Sequence, residues 1–245
     1  VSADTRTLNQ LSGRWIQAKR LWGSEGRPVR RWLNRVRGLP DDVLHLNRIG
    51  ADPGIRQPRP AGTPAAGWAA VLPVHRNGEP VFAQIRVLGS SRVRYLNAAS
   101  TLAPNPRIAA YEPAERQGSC VVVTEGVLDA LSAAAGGLRG VALLGASVPD
   151  PSRPSASSIA LVERLAKIEG RLVLALDADD AGQRGADRLQ ALLAERRAGI
   201  VRVTPPAHVN DLNEWMLRAG DDWPAQLTGE VRLAIDCTTT RSLAR

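Results

Sequence analysis

Cys120-Val-Val-Val-Thr-Glu125-Gly-Val-Leu-Asp129-Ala130 and, downstream, Leu174-Ala-Leu-Asp177-Ala-Asp179-Asp180-Ala-Gly182 decide the fold of this chain. In both stretches an apolar run stops at carboxylates. Short, near-continuous apolar segments such as 120–123 and 172–176 are the pattern of strands buried on both faces of a parallel sheet. If the two strands run parallel, Glu125 and Asp177 emerge at one carboxyl edge, where open α/β sheets place their ligands. Continued strand geometry would point Asp177 and Asp179 the same way, because side chains alternate with a period of two. Carboxylates converging at one edge repel each other unless a cation lies between them. An oxygen-only donor set suits Mg²⁺ or Mn²⁺, and Mg²⁺ commonly bridges carboxylates to phosphates. The residues therefore predict a metal-dependent phosphoryl-transfer site.

The Glu-Gly element with a later Asp-x-Asp resembles the TOPRIM domain of DnaG-type primases, topoisomerases, OLD-family nucleases and RecR-like proteins. Further segments resemble the primase members, closest to those of phages, plasmids and mobile elements. They are Arg94-Tyr95-Leu96-Asn97, Glu125-Gly-Val-Leu-Asp129-Ala, Leu144-Gly145-Ala-Ser147 and Asn210-Asp211-Leu-Asn213-Glu214-Trp215, with Trp32-Leu33 and Arg37-Gly38-Leu39 near the start. The resemblance spans residues 28 to 219. It implies a TOPRIM-like, mainly parallel four-stranded sheet with helices on both faces. A basic helical segment and a small β-rich subdomain precede that sheet.

Composition narrows the setting. A chain of 245 residues with 44% hydrophobic residues can bury a substantial core. No apolar run is long enough for a membrane span, and no signal-like apolar segment opens the sequence, so the expected compartment is the cytoplasm. The two cysteines, Cys120 and Cys237, are too few for a four-cysteine zinc site or a disulfide scaffold. Cys120 reads as a small buried hydrophobe. Residues 1–60 carry 12 basic and 5 acidic groups, residues 61–120 carry 6 and 3, and residues 121–245 carry 14 and 16. A basic first half joined to an acidic second half suits a nucleic-acid groove leading to a metal site. Arginine supplies 30 of the 32 basic residues, a bias that genome composition alone can also produce.

The pattern divides the chain into a basic helical segment at 1–60, a β-rich subdomain at 61–117, the catalytic domain at 118–220 and an unpatterned tail at 221–245. Short helices are expected over 15–21 and 29–36. Trp15, Trp22 and Trp32 beside leucines read as core more readily than as stacking platforms. A proline-rich loop follows Asp52. Strands are expected at 68–73, 80–88 and 93–96, with Asn77-Gly78 as a hairpin turn. A loop at 101–107 leads to strands at 120–124, 141–144, 171–176 and 200–203. Helices are expected at 127–135, 156–168, 182–198 and 211–219.

The resemblance implies catalytic roles for Glu125, Asp177 and Asp179. It implies a metal set of Glu125, Asp129, Asp177, Asp179 and Asp211, holding two ions. Asp180 is expected to cap the following helix, and Asp211 reads equally well as an N-cap. Arg94 leads the candidates for contacting nucleotide or nucleic acid, with Arg86, Arg92, Tyr95, Asn97, Gly145, Ser147 and Asn213 behind it. Arg86, Arg92 and Arg94 share strand parity, which would line one face, although the turn at Gly89 interrupts it. Exposed arginine on a strand edge is the plain alternative. Asn213 stands where some primases carry an aspartate, which leaves the ligand count open. The three histidines show no metal-ligand spacing, and the glycine pattern of a P-loop motor is absent.

The implied activity is that of a DNA primase, an RNA polymerase core making short primers on single-stranded DNA from nucleoside triphosphates by two-metal nucleotidyl transfer. A TOPRIM nuclease and a non-catalytic nucleic-acid-binding accessory module are the alternatives. The first is disfavoured by the Arg-Tyr-Leu-Asn segment and the second by the intact acids. A topoisomerase would need Tyr95 or Tyr111 as nucleophile in a far longer chain. Bacterial primases carry a zinc-binding domain ahead of this core and a helicase-docking domain. Neither is found in this sequence, so the resemblance implies a partner such as a replicative helicase or a separate zinc-binding initiation factor, a missing upstream segment, or looser initiation, in a mobile-element or fragment context.

Overall fold

The computed structural model describes residues 13–17, 19–53, 68–89, 94–98, 100, 103–145 and 155–243. The chain divides into two compact units, Val1–Ala109 and Ala110–Arg245.

The first unit is organised by a hairpin. Asn77 and Gly78 take φ of 52° and 80°, as a two-residue type I′ turn requires. Strands β2 (Ala69–Arg76) and β3 (Glu79–Val87) pair antiparallel on either side of it. β1 (Gly50–Asp52) adds to β2 and β4 (Tyr95–Asn97) to β3, completing a sheet of order β1-β2-β3-β4. The sequence reading does not anticipate β1, because Gly-Ala-Asp shows no alternation and runs straight into prolines. Through β1, residues of the expected 1–60 segment pair with a strand of the expected 61–117 segment. Residues 13–17 form a helical turn that buries Trp15 and Ile16 against Ala69, Val71, Ala83 and Ile85. Helix α1 (Arg27–Arg35) places Pro28 in its first turn, where its missing N–H costs nothing, and buries Val29 and Leu33 four residues apart. A short α2 (Asp41–Leu46) follows, with Asp41 and Asp42 at the positive end of its dipole. Trp15 is core as expected, at 7% exposure, whereas Trp22 is 40% exposed.

The second unit holds a five-stranded sheet of order β5-β7-β6-β8-β9. β6 (Val121–Thr124), β7 (Arg139–Leu143), β8 (Leu172–Leu174) and β9 (Ile200–Arg202) are the four expected strands, and β6–β7, β6–β8 and β8–β9 are all parallel. The fifth strand, β5 (Ile108–Tyr111), follows the expected 101–107 loop, in a stretch to which the sequence reading assigns no element. Its alanine pair has weak strand preference, and the preceding prolines mask the signal. Helices α3 (Val127–Ala135), α4 (Ala156–Ala166), α5 (Asp180–Ala194) and α6 (Leu212–Ala219) fall on or close to their expected spans.

The expected tail is instead a 21-residue helix, α7 (Trp223–Leu243). Its buried residues Trp223, Leu227 and Val231 repeat every four positions, and Trp223 meets Trp215 edge-on with ring centres 5.3 Å apart. Polar residues dominate between these anchors and hide the period. None of the described helices is long and apolar enough to cross a membrane.

Candidate active site

The sheet order brings the acids together. β6 and β8 are neighbours, and their pairing outlasts the strands, because Ala175 N–H donates to Val123 O at 2.9 Å. β9 lies beside β8, with Val203 N–H donating to Leu174 O. Three parallel strands thus deliver Glu125, Asp177 and the turn before Asp211 to one carboxyl edge. Ala178 N–H donates to Asn210 O at 2.7 Å and ties the second acid turn to the third.

Glu125 follows β6 directly and stays outside α3, whose N-cap is Gly126. Its carboxylate accepts the backbone N–H of Asp177. Burial raises its pKa, the Asp177 N–H opposes the rise, and the nearby Asp179 charge adds to it. Asp177 is half-buried. Desolvation first, then the charges of Glu125, Asp211 and Asp179, push its carboxyl up to about 7. Asp129, in the first turn of α3, is pushed up to about 8, again by desolvation first and by Asp211 next. Its Oδ1 accepts the Asn213 backbone N–H at 3.1 Å.

Two glycines make this crowding possible. A Cβ on Gly182 would lie 2.2 Å from the Asp177 carbonyl oxygen and 2.8 Å from Glu125 Oε1. A Cβ on Gly126 would lie 2.7 Å from Asp129 Oδ2. The sequence reading used Gly182 only as a helix start; its closeness to the acids depends on tertiary contacts that sequence does not carry.

Three expectations need correction. β8 ends at Leu174, so Asp177 and Asp179 lie in a turn and strand alternation does not align them. Asp179, not Asp180, caps α5: its Oδ1 accepts Gly182 N–H at 2.8 Å, while Asp180 is the first helical residue. Asn213 is 2% exposed and donates its side-chain amide to Ser132 Oγ at 3.0 Å. It is therefore an internal strut beneath Asp129 and not a surface contact for nucleotide. Ser132 was not singled out from sequence. Its hydroxyl donates to Leu128 O, and its carbonyl accepts Trp223 Nε1–H at 2.7 Å. Asp211 caps α6 through Oδ1, accepting Glu214 N–H at 2.7 Å, the plainer of its two expected roles.

Among the described residues, no three Asp, Glu, His or Cys side chains converge closely enough to ligate one ion. The donor set nevertheless fits a hard cation: it is all oxygen, desolvated and mutually repelling. Mg²⁺ takes only one or two carboxylates and completes its shell with water and phosphate, so it needs no closed protein cage.

The remaining candidates lie in the first unit or in loops. Arg86 is 6% exposed, with its guanidinium 5.4 Å from the Trp32 ring centre and 5.0 Å from that of Tyr95. Its Nη1 donates to the carbonyls of Val87 and Arg94. Burial lowers its pKa, opposed by Tyr95. Arg86 is thus neither an exposed edge arginine nor a partner of Arg94 on one face, because Tyr95 stands opposite it in the β3–β4 register. Arg94 and Asn97 are exposed, and Asn97 accepts the Gln84 side-chain amide at 3.3 Å. Gly145 adopts φ of 64° at the end of the β7 turn. Ser147 and Arg92 lie outside the described residues.

Residues 122–216 match the Toprim-like family. No curated protein matches the sequence. Among solved structures, a DnaG primase catalytic domain bound to single-stranded DNA is 20% identical, with a TM-score of 0.71 over 95% of this chain and 80% of that one. A DNA primase domain from Pseudomonas aeruginosa is 19% identical, with a TM-score of 0.64 over 91% and 78%. The primase fragment of the bacteriophage T7 primase-helicase protein is 15% identical, with a TM-score of 0.54 over 80% and 72%. With its acids gathered on one edge of a Toprim-like sheet, the chain has the fold of a DnaG-type primase catalytic core.

Proposed function

We propose that the chain is a primase-type nucleotidyltransferase that joins nucleoside triphosphates into short primers on a single-stranded DNA template. The observation that carries the reading is the meeting of Glu125, Asp177 and Asp129 at one sheet edge, all three with carboxyl pKa values raised. Perturbed carboxylates packed together in this way are the mark of a functional site more than of a structural one. Two neighbours add to it: a primase domain bound to single-stranded DNA, and a primase fragment of a primase-helicase. The proposed partners are accordingly single-stranded DNA and a helicase, with a separate zinc-binding initiation factor as a further candidate.

Glu125 and Asp177 are the proposed holders of a first Mg²⁺ or Mn²⁺. Asp179 and Asp211 would reach a second with the oxygens that do not cap helices, and Asp129 stands behind Asp211. Bound divalent ions supply charge stabilisation for attack by a 3′-oxygen and departure of pyrophosphate. The chain's own work is to hold these groups still. Glu125 is pinned by the Asp177 N–H, and its raised pKa suits it to take the proton of the attacking hydroxyl at a carboxylate oxygen. Asn213 holds Asp129 through its backbone N–H and is itself held by Ser132 Oγ, which accepts its side-chain amide. The exposed Arg94, Tyr95 and Asn97 are proposed contacts for template or triphosphate.

The test is incorporation of labelled ribonucleotides on a single-stranded template in Mg²⁺ and in Mn²⁺. The parent chain should lengthen product, and Asp177→Asn and Glu125→Gln should each lose about 100-fold or more. Template shortening would indicate a nuclease instead. Equal activity in the parent and in Asp177→Asn would overturn the proposed mechanism.

A further inference from the structure

The first unit contains a cavity of about 550 Å³ that none of the sequence motifs reaches. This volume falls within the range of small-molecule sites. Its floor is apolar, formed by Ile16, Leu21 and Ile49, all 5% exposed or less. Trp22 forms one wall. It keeps 40% of its surface exposed, with the His45 ring tilted against it at 5.7 Å and the Arg30 guanidinium 5.1 Å from its ring centre. Leaving an indole open in this way forfeits the stabilisation of burying it.

The charge of the lining is one-sided. Lys19, Arg20, Arg48, His45 and His75 face the cavity, and no carboxylate lines it. Lys19 is already matched to Asp52 at 3.8 Å. Arg20 and Arg48 form no ion pair among the described residues, and they are left to receive an anion. Arg48 is held in place at both ends. Its backbone takes φ of 52°, uncommon for a residue with a Cβ, and its Nη1 donates to the Gly78 carbonyl at 2.8 Å. That bond uses only one of the five guanidinium N–H groups. His75 adds a hydrogen-bonding ring whose pKa is lowered by burial first and by the Arg48 charge next, against an opposing pull from Glu79, so it is neutral at neutral pH.

An apolar floor, an open aromatic wall and unpaired guanidinium groups within one nucleotide-sized volume together describe a ligand with a planar aromatic part and a phosphate part. We propose that this pocket binds a free nucleoside phosphate, with its base against Trp22 and its phosphates between Arg20 and Arg48. The site lies wholly in the first unit and needs none of the carboxylates of the second. It goes beyond the proposed primer synthesis and stands whether or not that activity is found.

The test is ATP and AMP binding to the full chain in EDTA, where a metal-dependent site is silent, by calorimetry. Two variants are compared with the parent, Trp22→Ala and Arg48→Gly. Glycine favours the positive φ at Arg48, so Arg48→Gly removes the guanidinium without straining the backbone. Thermal melts of each variant establish that it is folded. We expect saturable binding by the parent, about tenfold weaker in each variant, with ATP preferred over AMP. Asp177→Asn should bind as the parent does. A short deoxythymidine oligomer is run in parallel. If both folded variants bind ATP like the parent, or if they lose only the oligomer, the proposal is overturned. Loss of ATP binding in Asp177→Asn with the pocket variants intact would place the nucleotide elsewhere and overturn it equally.

Discussion

Replacing Asp129 by asparagine isolates the electrostatic cost built into the acid edge. The carboxyl is held protonated up to about pH 8 when folded, against an ordinary value of 3.8. Between those values the folded chain keeps a proton that the unfolded chain has lost, so stability falls as pH rises through that window. Each unit of pH costs about 1.4 kcal/mol, a ceiling of about 6 kcal/mol above pH 8. Solvent at the rim of the carboxyl and relaxation of its neighbours reduce this to an expected 2–3 kcal/mol, on the order of half the ceiling. Asparagine keeps the Oδ1 that accepts the Asn213 N–H and cannot ionise. In the absence of divalent metal, Asp129→Asn should therefore melt higher than the parent by about 5–10 °C near pH 9. The gap should close toward zero below about pH 3, where Asp129 is protonated in both the folded and the unfolded state. Thermal denaturation in EDTA across that range is the assay. A variant less stable than the parent at pH 9, or a difference independent of pH, would refute the argument that the Asp129 charge is what the fold resists.

Four further outcomes follow from the same geometry. Gly182→Ala drives a Cβ to 2.2 Å from the Asp177 carbonyl oxygen; it should cost about 2–3 kcal/mol in chemical denaturation and abolish nucleotide incorporation. Trp223→Phe removes the donor to Ser132 O and should cost about 1–2 kcal/mol, against about 3–5 kcal/mol for Trp223→Ala, measured by the same denaturation series. Mg²⁺ affinity, measured by calorimetry, should rise steeply as pH increases through about 7, where Asp177 ionises, with protons released on binding. Mg²⁺ should also raise the melting temperature of the parent more near pH 9 than that of Asp129→Asn, because the ion relieves a repulsion the variant lacks.

The catalytic sheet is legible in the sequence because its strands are short and apolar throughout. Val121–Thr124 and Leu172–Leu174 are buried on both faces, and such segments have few other readings. Their shared edge follows from parallel order, so the meeting of Glu125 with Asp177 was readable too. What lay beyond the sequence were facts of hydrogen bonding and depth. Nothing in Asp177-Ala-Asp179-Asp180 tells which aspartate caps α5, because either is well placed for a capping bond. Asn213 sits in a polar-looking turn, and only the packing of α6 on α3 turns it inward to Ser132. Arg86 looks like an edge charge until Trp32 and Tyr95 close over it. The helix at Trp223–Leu243 was missed because three buried anchors carry it, and the rest of its surface is ordinary polar sequence.

The two helix caps explain how so many acids tolerate one another before any cation arrives. Asp179 and Asp211 each spend one carboxylate oxygen on the first free N–H groups of α5 and α6. Those groups carry the positive end of a helix dipole, equivalent to about half a charge each. The caps hold both carboxylates at the edge in fixed orientation and offset part of their charge, while the second oxygen of each is kept out of the helix. Glu125 is stabilised by the Asp177 backbone N–H, and Asp129 by the backbone N–H groups of Asn213 and of Asp129 itself. Among the described residues Asp177 accepts no such bond, and it is raised by desolvation first and then by Glu125, Asp211 and Asp179 together. Asp177 is therefore the carboxylate on which three like charges act at once, against two at Asp129. That position is where a divalent ion gains most by binding, and it is why Asp177, ahead of the more exposed Asp179, should be the most costly of the acids to neutralise.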